Sequence, residues 1–292
     1  MIIDAHIHLY PDEASTDPRQ WAALRKENYW ADCVAPVKGP TLQGWASPKK
    51  LLRDMDDARV DQVIILGWYW ENPDTCYEMN DWLAAIRENH PDRLLVAAAF
   101  NANGGEKALD DIQRRFDQGF VGIGEINPPT QGFAYNDRWL NDALELVAKR
   151  NKFANFHVTE PAGHSYPGKI DTPFSSLQNM AAGHPKTKFV FAHLGGLLPI
   201  YELNRKTKKD LQNVYYDTAA IPLLYDPKVY RTVCDIVGSE RILFGTDYPL
   251  KTFPKKQKAD FYDQIESIKN TNLTSNETAN VLGLNIRSII EQ

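Results

Sequence analysis

After Met1 the sequence continues Ile2-Ile3-Asp4-Ala5-His6-Ile7-His8. A short apolar run that leads into polar side chains is typical of a buried strand with functional groups at its end. Residues two apart on a strand point to the same face, so His6 and His8 are predicted to project together. Neutral imidazoles are common metal ligands, and this spacing presents both to one ion.

Seven further runs of this kind follow along the chain. With Ile2–Asp4, the predicted strands are Val63–Leu66, Leu94–Phe100, Val121–Glu125, Phe153–His157, Phe189–His193, Val214–Asp217 and Ile242–Asp247. Most are apolar on both faces, as strands of a buried parallel sheet are.

Segments with helical spacing of apolar residues separate these runs. The predicted helices are Lys49–Ala58, Tyr77–Asn89, Glu106–Asp117, Asp137–Asn151, Thr172–Gly183, Pro227–Val237 and Lys256–Lys269. Strand and helix alternating eight times predict an α/β protein, a (β/α)₈ TIM barrel that occupies residues 1–292 as one domain.

The interval after strand 1 is longer than the others and contains an insertion, Leu9–Ala46, with Trp21, Tyr29, Trp30 and Trp45. Loops that follow barrel strands build the site in barrel enzymes, which favours a lid or pocket wall. A stabilising insertion packed on the flank of the barrel is the alternative.

Composition excludes several classes of protein. With 43% hydrophobic and 24% charged residues, the chain resembles a globular protein and not a disordered one. No long apolar span or secretory leader is visible, so we expect a cytoplasmic protein without a membrane segment. A net charge of −5 without a basic block argues against nucleic-acid binding. The three cysteines are widely spaced and predict neither a disulfide framework nor a zinc knuckle.

The predicted ends of later strands also carry ligand-type residues: Glu125, His157, His193 and Asp247. Burying such groups is costly unless they are paired or coordinated. Their convergence at one barrel mouth predicts a divalent metal, Zn²⁺ or a similar ion, with room for a water molecule.

The chain resembles the amidohydrolase superfamily, in particular its amidohydrolase-related branch. The resemblance covers nearly the whole chain and rests on an ordered set of motifs. These are Ile3-Asp4-Ala5-His6-Ile7-His8, Phe191-Ala192-His193-Leu194-Gly195-Gly196, Val214-Tyr215-Tyr216-Asp217-Thr218, Leu243-Phe244-Gly245-Thr246-Asp247-Tyr248-Pro249 and the closing stretch from Asn276 to Leu284.

The resemblance implies that His6, His8, His157 and Asp247 hold the metal. His193 then acts beside it as an acid or base, or binds a second ion. Because strand 4 offers Glu125 and no lysine, a second ion bridged by Glu125 stays open, although one ion is expected. Zinc is the expected metal and manganese the alternative.

The function expected first is hydrolysis of a small amide, lactone or ester by metal-activated water, with Asp247 as general base and His193 stabilising the oxyanion or protonating the leaving group. The alternative is decarboxylation of a small unsaturated or aromatic carboxylic acid at the same site. A second alternative is a non-catalytic barrel that only binds. The expected partner is a small-molecule substrate, and since proteins of this branch are often dimers, a homodimer stays open.

Other residues carry weaker expectations. Asp4 orients His6 or bonds only to backbone, Asp217-Thr218 faces the pocket or caps the next turn, and His164 contacts substrate. Trp68, Tyr69 and Trp70 form an aromatic pocket or pack the insertion on the barrel. Five basic residues are candidate anchors for a substrate carboxylate: Arg25, Lys38, Arg53, Lys169 and Arg205.

Overall fold

The computed structural model describes residues 1–291 and contains one sheet of eight parallel strands in sequence order. The strands are β1 (Ile3–Ile7), β2 (Gln62–Leu66), β3 (Leu94–Ala98), β4 (Gly122–Ile126), β5 (Phe153–Phe156), β6 (Lys188–Phe191), β7 (Val214–Asp217) and β8 (Ile242–Leu243). This order is that of a (β/α)₈ barrel, which confirms the predicted fold.

The barrel closes between its first and last strands through individual hydrogen bonds. Ala5 N–H donates to the carbonyl of Phe244 at 2.8 Å, and His8 N–H donates to the carbonyl of Tyr248 at 2.7 Å. In the opposite direction, Asp247 N–H donates to the carbonyl of His6 at 2.9 Å. Closure therefore joins the segment that carries His6 and His8 directly to the one that carries Asp247.

Helices cover the outside of the barrel. They are α1 (Asp12–Thr16), α2 (Pro18–Arg25), α3 (Asn28–Val34), α4 (Pro48–Ala58), α5 (Pro73–Asn89), α6 (Glu106–Asp117), α7 (Pro128–Gln131), α8 (Arg138–Lys149), α9 (Phe174–Gly183), α10 (Arg205–Asp210), α11 (Ile221–Leu224), α12 (Lys228–Val237), α13 (Tyr262–Lys269), α14 (Ser275–Ala279) and α15 (Asn285–Ile290). Short 3₁₀ segments include Pro254–Lys256, and His193–Leu203 is irregular.

Helix α4 shows how the sequence sets these boundaries. The Ser47 side chain accepts a hydrogen bond from Lys50 N–H, and Pro48 occupies the first turn, where no N–H partner is needed. Leu51 and Met55, one turn apart, are fully buried against the barrel. Within the described part of the chain, no helix combines the length and apolar character needed to cross a membrane.

Several predicted boundaries differ from the structure, among them those of β1, β8 and α13. Strand β1 extends to Ile7, so His6 lies within the strand and not after it. Strand β8 stops at Leu243, and just beyond it the chain lies close to β1: a Cβ at Gly245 would lie 2.8 Å from that of His6. Helix α13 begins at Tyr262 and not at Lys256, which belongs to the 3₁₀ segment Pro254–Lys256.

The insertion after β1 contains a helical part and a part that reaches the barrel mouth. Its helices α1 to α3 pack on the barrel through an aromatic cluster in which the Trp30 ring lies 5.0 Å from Trp21 and 5.7 Å from Trp70. Trp30 is completely buried. The following stretch, from Cys33 to Gln43, contributes to the wall of a cavity at the barrel mouth.

Candidate metal centre and cavity

The structure brings all the predicted site residues to the carboxyl ends of the strands. His6 lies in β1 and His8 follows it, Glu125 lies in β4, and the other three follow strands β5, β6 and β8: His157, His193 and Asp247. Each is buried except Asp247, whose side chain is 16% exposed at the bottom of the cavity.

Hydrogen bonds from outside the centre orient the two histidines of the first strand. The His6 Nδ1 atom lies 2.9 Å from Oδ2 of Asp217, and His8 Nδ1 lies 3.2 Å from the carbonyl oxygen of Leu66. Both partners accept hydrogen bonds, so each Nδ1 carries the proton. The Nε2 lone pairs of His6 and His8 therefore face the centre.

The other two histidines are oriented in the same way. His193 Nδ1 lies 2.9 Å from the carbonyl oxygen of Ala219, which leaves its Nε2 facing the centre. His157 is turned around: its Nε2 donates to the carbonyl oxygen of Gly168 at 2.9 Å, and its Nδ1 faces inward. Acceptors that fix the tautomer from behind are what metal-ligating histidines usually have.

Four imidazole lone pairs consequently meet two carboxylates. His6 Nε2 and His8 Nε2 are 3.2 Å apart, as are His193 Nε2 and His157 Nδ1. Glu125 Oε1 lies 2.9 Å from His157 Nδ1. Acceptors packed this closely repel one another unless positive charge lies between them.

Two sets of possible ligands share Glu125. One consists of His6, His8 and Glu125, and the other of Glu125, His157 and His193; the ligand atoms of each set lie within 4.8 Å of one another. Asp247 Oδ1 adds a further oxygen, 3.9 Å from His6 Nε2 and 3.7 Å from His8 Nε2. Nitrogen and carboxylate donors in this arrangement suit a divalent cation.

The pKa values reflect the negative field at this centre. Burial lowers the pKa of His6, but the carboxylates of Asp217 and Glu125 outweigh it and raise that pKa to about 10. Burial raises the pKa of Glu125, but His157 and His6 outweigh it and hold that pKa well below its usual value. The centre thus favours a cation.

Both predicted catalytic residues have an unusual backbone. His193 has φ of 57° and Asp247 has φ of 64°, in the left-handed region that residues with a Cβ seldom adopt. Asp217 Oδ1 accepts the N–H of His193 at 3.0 Å, which fixes the backbone of His193. The hydrogen bond from the N–H of Asp247 to the carbonyl of His6 fixes the backbone of Asp247. Strain of this kind concentrates at functional sites.

Two strand-end carboxylates have roles that the sequence did not separate. Asp4 accepts the N–H of His6 at 2.9 Å and the hydroxyl of Thr246 at 2.6 Å, but does not touch the imidazole ring. Asp4 therefore does not orient the His6 ring, and it bonds to the Thr246 side chain as well as to backbone. Asp217 orients His6 and also accepts the N–H of Ala219 at 3.1 Å. The sequence signal for this role was the position of Asp217 at the end of an apolar run, where capping of the next turn was also expected.

A cavity of about 290 Å³ opens directly above the centre. Its polar floor consists of His8, Glu125, His157, His193 and Asp247. Its walls come mainly from the insertion, the loop after β2, the loop after β5 and helix α11, with Pro36, Pro40, Leu42, Trp68, Tyr69, His164, Tyr166, Leu223 and Leu224 among the lining residues.

This lining decides several of the weaker expectations. His164 lines the cavity, as do Trp68 and Tyr69, whereas Trp70 is buried against the insertion. None of the five expected basic anchors is among the lining residues. Arg25 pairs with Glu78, with Nε 3.0 Å from Oε2. Those five expectations were wrong.

Several known proteins resemble this chain in sequence or in fold. The chain is 24% identical over 264 residues to 2-amino-3-carboxymuconate-6-semialdehyde decarboxylase from Dictyostelium discoideum. The aligned region covers 80% of this chain and 72% of that protein. The fold matches 5-carboxyvanillate decarboxylase from Sphingomonas paucimobilis with a TM-score of 0.76 and 14% identity, over 99% of this chain and 98% of that one.

A second solved structure, 5-carboxyvanillate decarboxylase from Novosphingobium aromaticivorans complexed with manganese and 4-hydroxy-3-methoxy-5-nitrobenzoic acid, matches with a TM-score of 0.72 and 14% identity, over 100% of this chain and 96% of that one. At such identities the structures establish the fold alone. A family model described as amidohydrolase matches residues 3–289, which is nearly the whole chain. The chain therefore belongs to the amidohydrolase family.

Proposed function

We propose that this protein is a metal-dependent decarboxylase of a small unsaturated or aromatic carboxylic acid. The observation that carries the proposal is the convergence of four imidazole lone pairs and two carboxylates on the floor of a largely apolar cavity. The decarboxylases named among similar proteins favour this reaction over the hydrolysis that was expected first.

The residues of the floor fit a divalent cation. We propose His6, His8, His157 and Asp247 as its ligands, with Glu125 in contact, and zinc or manganese as the ion. When bound, such an ion would supply Lewis-acid stabilisation of a carboxylate substrate and of the negative charge that develops on it.

The protein's own side chains position the substrate and exclude water from the centre. The wall of Trp68 and Tyr69, whose rings stack 4.3 Å apart, gives a planar substrate an apolar surface beside the centre and excludes water from it. The carboxylate end of the substrate faces the floor because positive charge is favoured there.

Decarboxylation breaks the bond between the carboxyl carbon and the adjacent carbon. Carbon dioxide leaves, the electron pair of the bond remains on the adjacent carbon, and one proton replaces the lost group. Asp247, which is partly exposed to the cavity, and His193, through Nε2, are placed to deliver that proton after taking it up from solvent.

The direct test incubates metal-loaded protein with a panel of aromatic and unsaturated carboxylic acids and measures release of carbon dioxide. We expect release from at least one acid, and its loss in His193→Gln and Asp247→Asn variants that remain folded. Turnover of esters, lactones or amides without any carbon dioxide release from the acids would reject the proposal.

Hydrolysis remains the second candidate because Glu125 is shared by two sets of three possible ligands. A centre with two bridged ions is a common arrangement for activating water. Elemental analysis of purified protein separates the two: about one ion per chain favours the decarboxylase, and two ions favour the hydrolase.

A further inference from the structure

Within residues 1–291, no lysine or arginine lines the cavity. Of the five expected anchors, Lys169 is adjacent in sequence to a lining residue, Gly168, on the loop after β5. Its Nζ already has partners: it lies 3.1 Å from Glu160 Oε1 and 2.7 Å from the carbonyl oxygen of Ala162. The cavity therefore offers an anionic substrate no lysine or arginine, and the basic side chain in its wall is the imidazole of His164.

The cavity already contains two acidic side chains, Glu125 and Asp247, on its floor. One divalent ion would balance these two charges and leave the centre able to accept one carboxylate. A second carboxylate on the same molecule would meet no lysine or arginine in walls that are largely apolar, which is unfavourable. The charge arrangement thus selects for a single acidic group.

One buried polar group of a residue that lines the cavity has no partner in the protein. Tyr69 is 1% exposed, its ring centroid lies 4.9 Å from that of His157, and its buried hydroxyl has no hydrogen-bond partner in the protein. A buried hydroxyl usually finds a partner. A ligand oxygen in the cavity would supply it.

We propose that the substrate is a monocarboxylate whose other polar groups are uncharged, and that the Tyr69 hydroxyl donates a hydrogen bond to one of them. The inference rests on the proposed function for the placement of the first carboxylate at the metal centre. Tyr69 acts here as a specificity-determining residue.

The test uses three probes that share one ring: benzoate, the monomethyl ester of isophthalate, and isophthalate itself. Binding to metal-loaded protein is measured by calorimetry near neutral pH. We expect the monoester to bind at least about tenfold more tightly than isophthalate, which has nearly the same shape but a second charge. Isophthalate binding as well as the monoester, or no binding by either monoacid, would overturn the proposal.

A cationic side chain added to the cavity wall should reverse the preference for monocarboxylates over isophthalate. Leu224 lines the cavity from helix α11, so Leu224→Arg is expected to strengthen isophthalate binding about tenfold while weakening that of benzoate. The control is Leu203→Arg, at a leucine that is 71% exposed and does not line the cavity. Equal effects of the two substitutions would contradict selection by charge in the cavity.

Tyr69→Phe tests the hydroxyl. Because this hydroxyl bonds to nothing in the protein, the variant should keep the Tm and metal content of the wild type, lose about fivefold or more in affinity for the monoester, and bind benzoate unchanged. Tyr135→Phe removes another buried hydroxyl that has no partner in the protein, at a residue that does not line the cavity, and should change neither affinity. An equal loss for both probes in Tyr69→Phe would reject the assigned bond.

The binding readout keeps this inference separate from the reaction. If no acid releases carbon dioxide while the monoester still outcompetes isophthalate, the proposed function fails and the charge selection stands. If carbon dioxide is released from dicarboxylates as readily as from monocarboxylates, the proposed function stands and this inference fails.

Discussion

Asp217 Oδ2 lies 2.9 Å from Nδ1 of His6, and both side chains are completely buried. The other carboxylate oxygen of Asp217 accepts the backbone N–H of His193 and of Ala219. A single carboxylate thus fixes the ring of one metal-ligand candidate and the backbone of a candidate acid.

We predict that Asp217→Asn weakens metal binding about 10-fold to 100-fold, the usual range for loss of a group that orients a metal ligand. The amide would place an NH₂ group against one of the donors that the carboxylate accepts. The measurement is a competition titration against a chromogenic chelator.

Asp4→Asn is the matched control, because Asp4 is an equally buried carboxylate that contacts backbone and Thr246 but no imidazole ring. It should lower stability and leave the affinity for metal within about threefold of the wild type. Equal losses of affinity in both variants would mean that orientation of His6 does not matter.

Removal of the metal is predicted to lower thermal stability. An ion present at 100 times its Kd stabilises the folded state by about 2.7 kcal/mol, so stringent chelation should lower the Tm by several degrees. In the variant that combines His6→Ala with His8→Ala, chelation should change nothing. A wild-type Tm insensitive to chelation, in protein shown by elemental analysis to have lost its metal, would count against the centre.

Packing of the insertion on the barrel is predicted to depend on its aromatic cluster. Trp30→Ala removes a fully buried ring that contacts Trp21, Trp70 and Tyr10, at a cost of about 3–5 kcal/mol in the free energy of unfolding. Leu24→Ala, at a residue of α2 that is 76% exposed, should cost less than about 0.5 kcal/mol. Denaturant titration measures both, and similar values for the two would refute the packing role.

A pH-dependent contribution to stability is predicted far from the cavity. Hydrogen bonds from Arg231, followed by those of Thr274, lower the pKa of Glu277 from 4.5 to about 2. A carboxyl whose pKa is lower in the folded state stabilises the fold above its unfolded pKa and loses that effect as the pH falls. The stability difference between wild type and Glu277→Gln should therefore shrink from pH 4.5 to about 2.

Urea titrations across that range measure the difference. A difference that stays constant with pH would show that the ion pair between Arg231 and Glu277 contributes through packing and not through charge. Solvent exposure at this site keeps the expected effect small.

Much of the fold could be predicted because apolar runs at near-regular intervals are a local property of the chain. Strand β7 was predicted with its observed bounds, Val214–Asp217. The close approach of Gly245, just after β8, to His6 could not be predicted, because it is a contact between the two ends of the chain.

The candidate site was predictable to a similar extent. Polar residues at the ends of apolar runs identified His6, His8, Glu125, His157, His193 and Asp247, because parallel strands bring their carboxyl ends together. The choice between Asp4 and Asp217 as the partner of His6 depends on side-chain geometry across the barrel, which spacing along one strand does not contain. The absence of the five basic residues from the cavity lining could not be predicted for a related reason. Arg25, for example, pairs with Glu78, a residue far away in sequence.

The reaction itself is tested most directly by product analysis in heavy-oxygen water, with metal-loaded protein and the acids of the panel, each presented also as its ester or amide. The proposed function predicts a product that has lost carbon dioxide, has one hydrogen on the carbon that carried the carboxyl group, and contains no heavy oxygen. A product that keeps all its carbon and contains heavy oxygen from the solvent would contradict decarboxylation and establish hydrolysis.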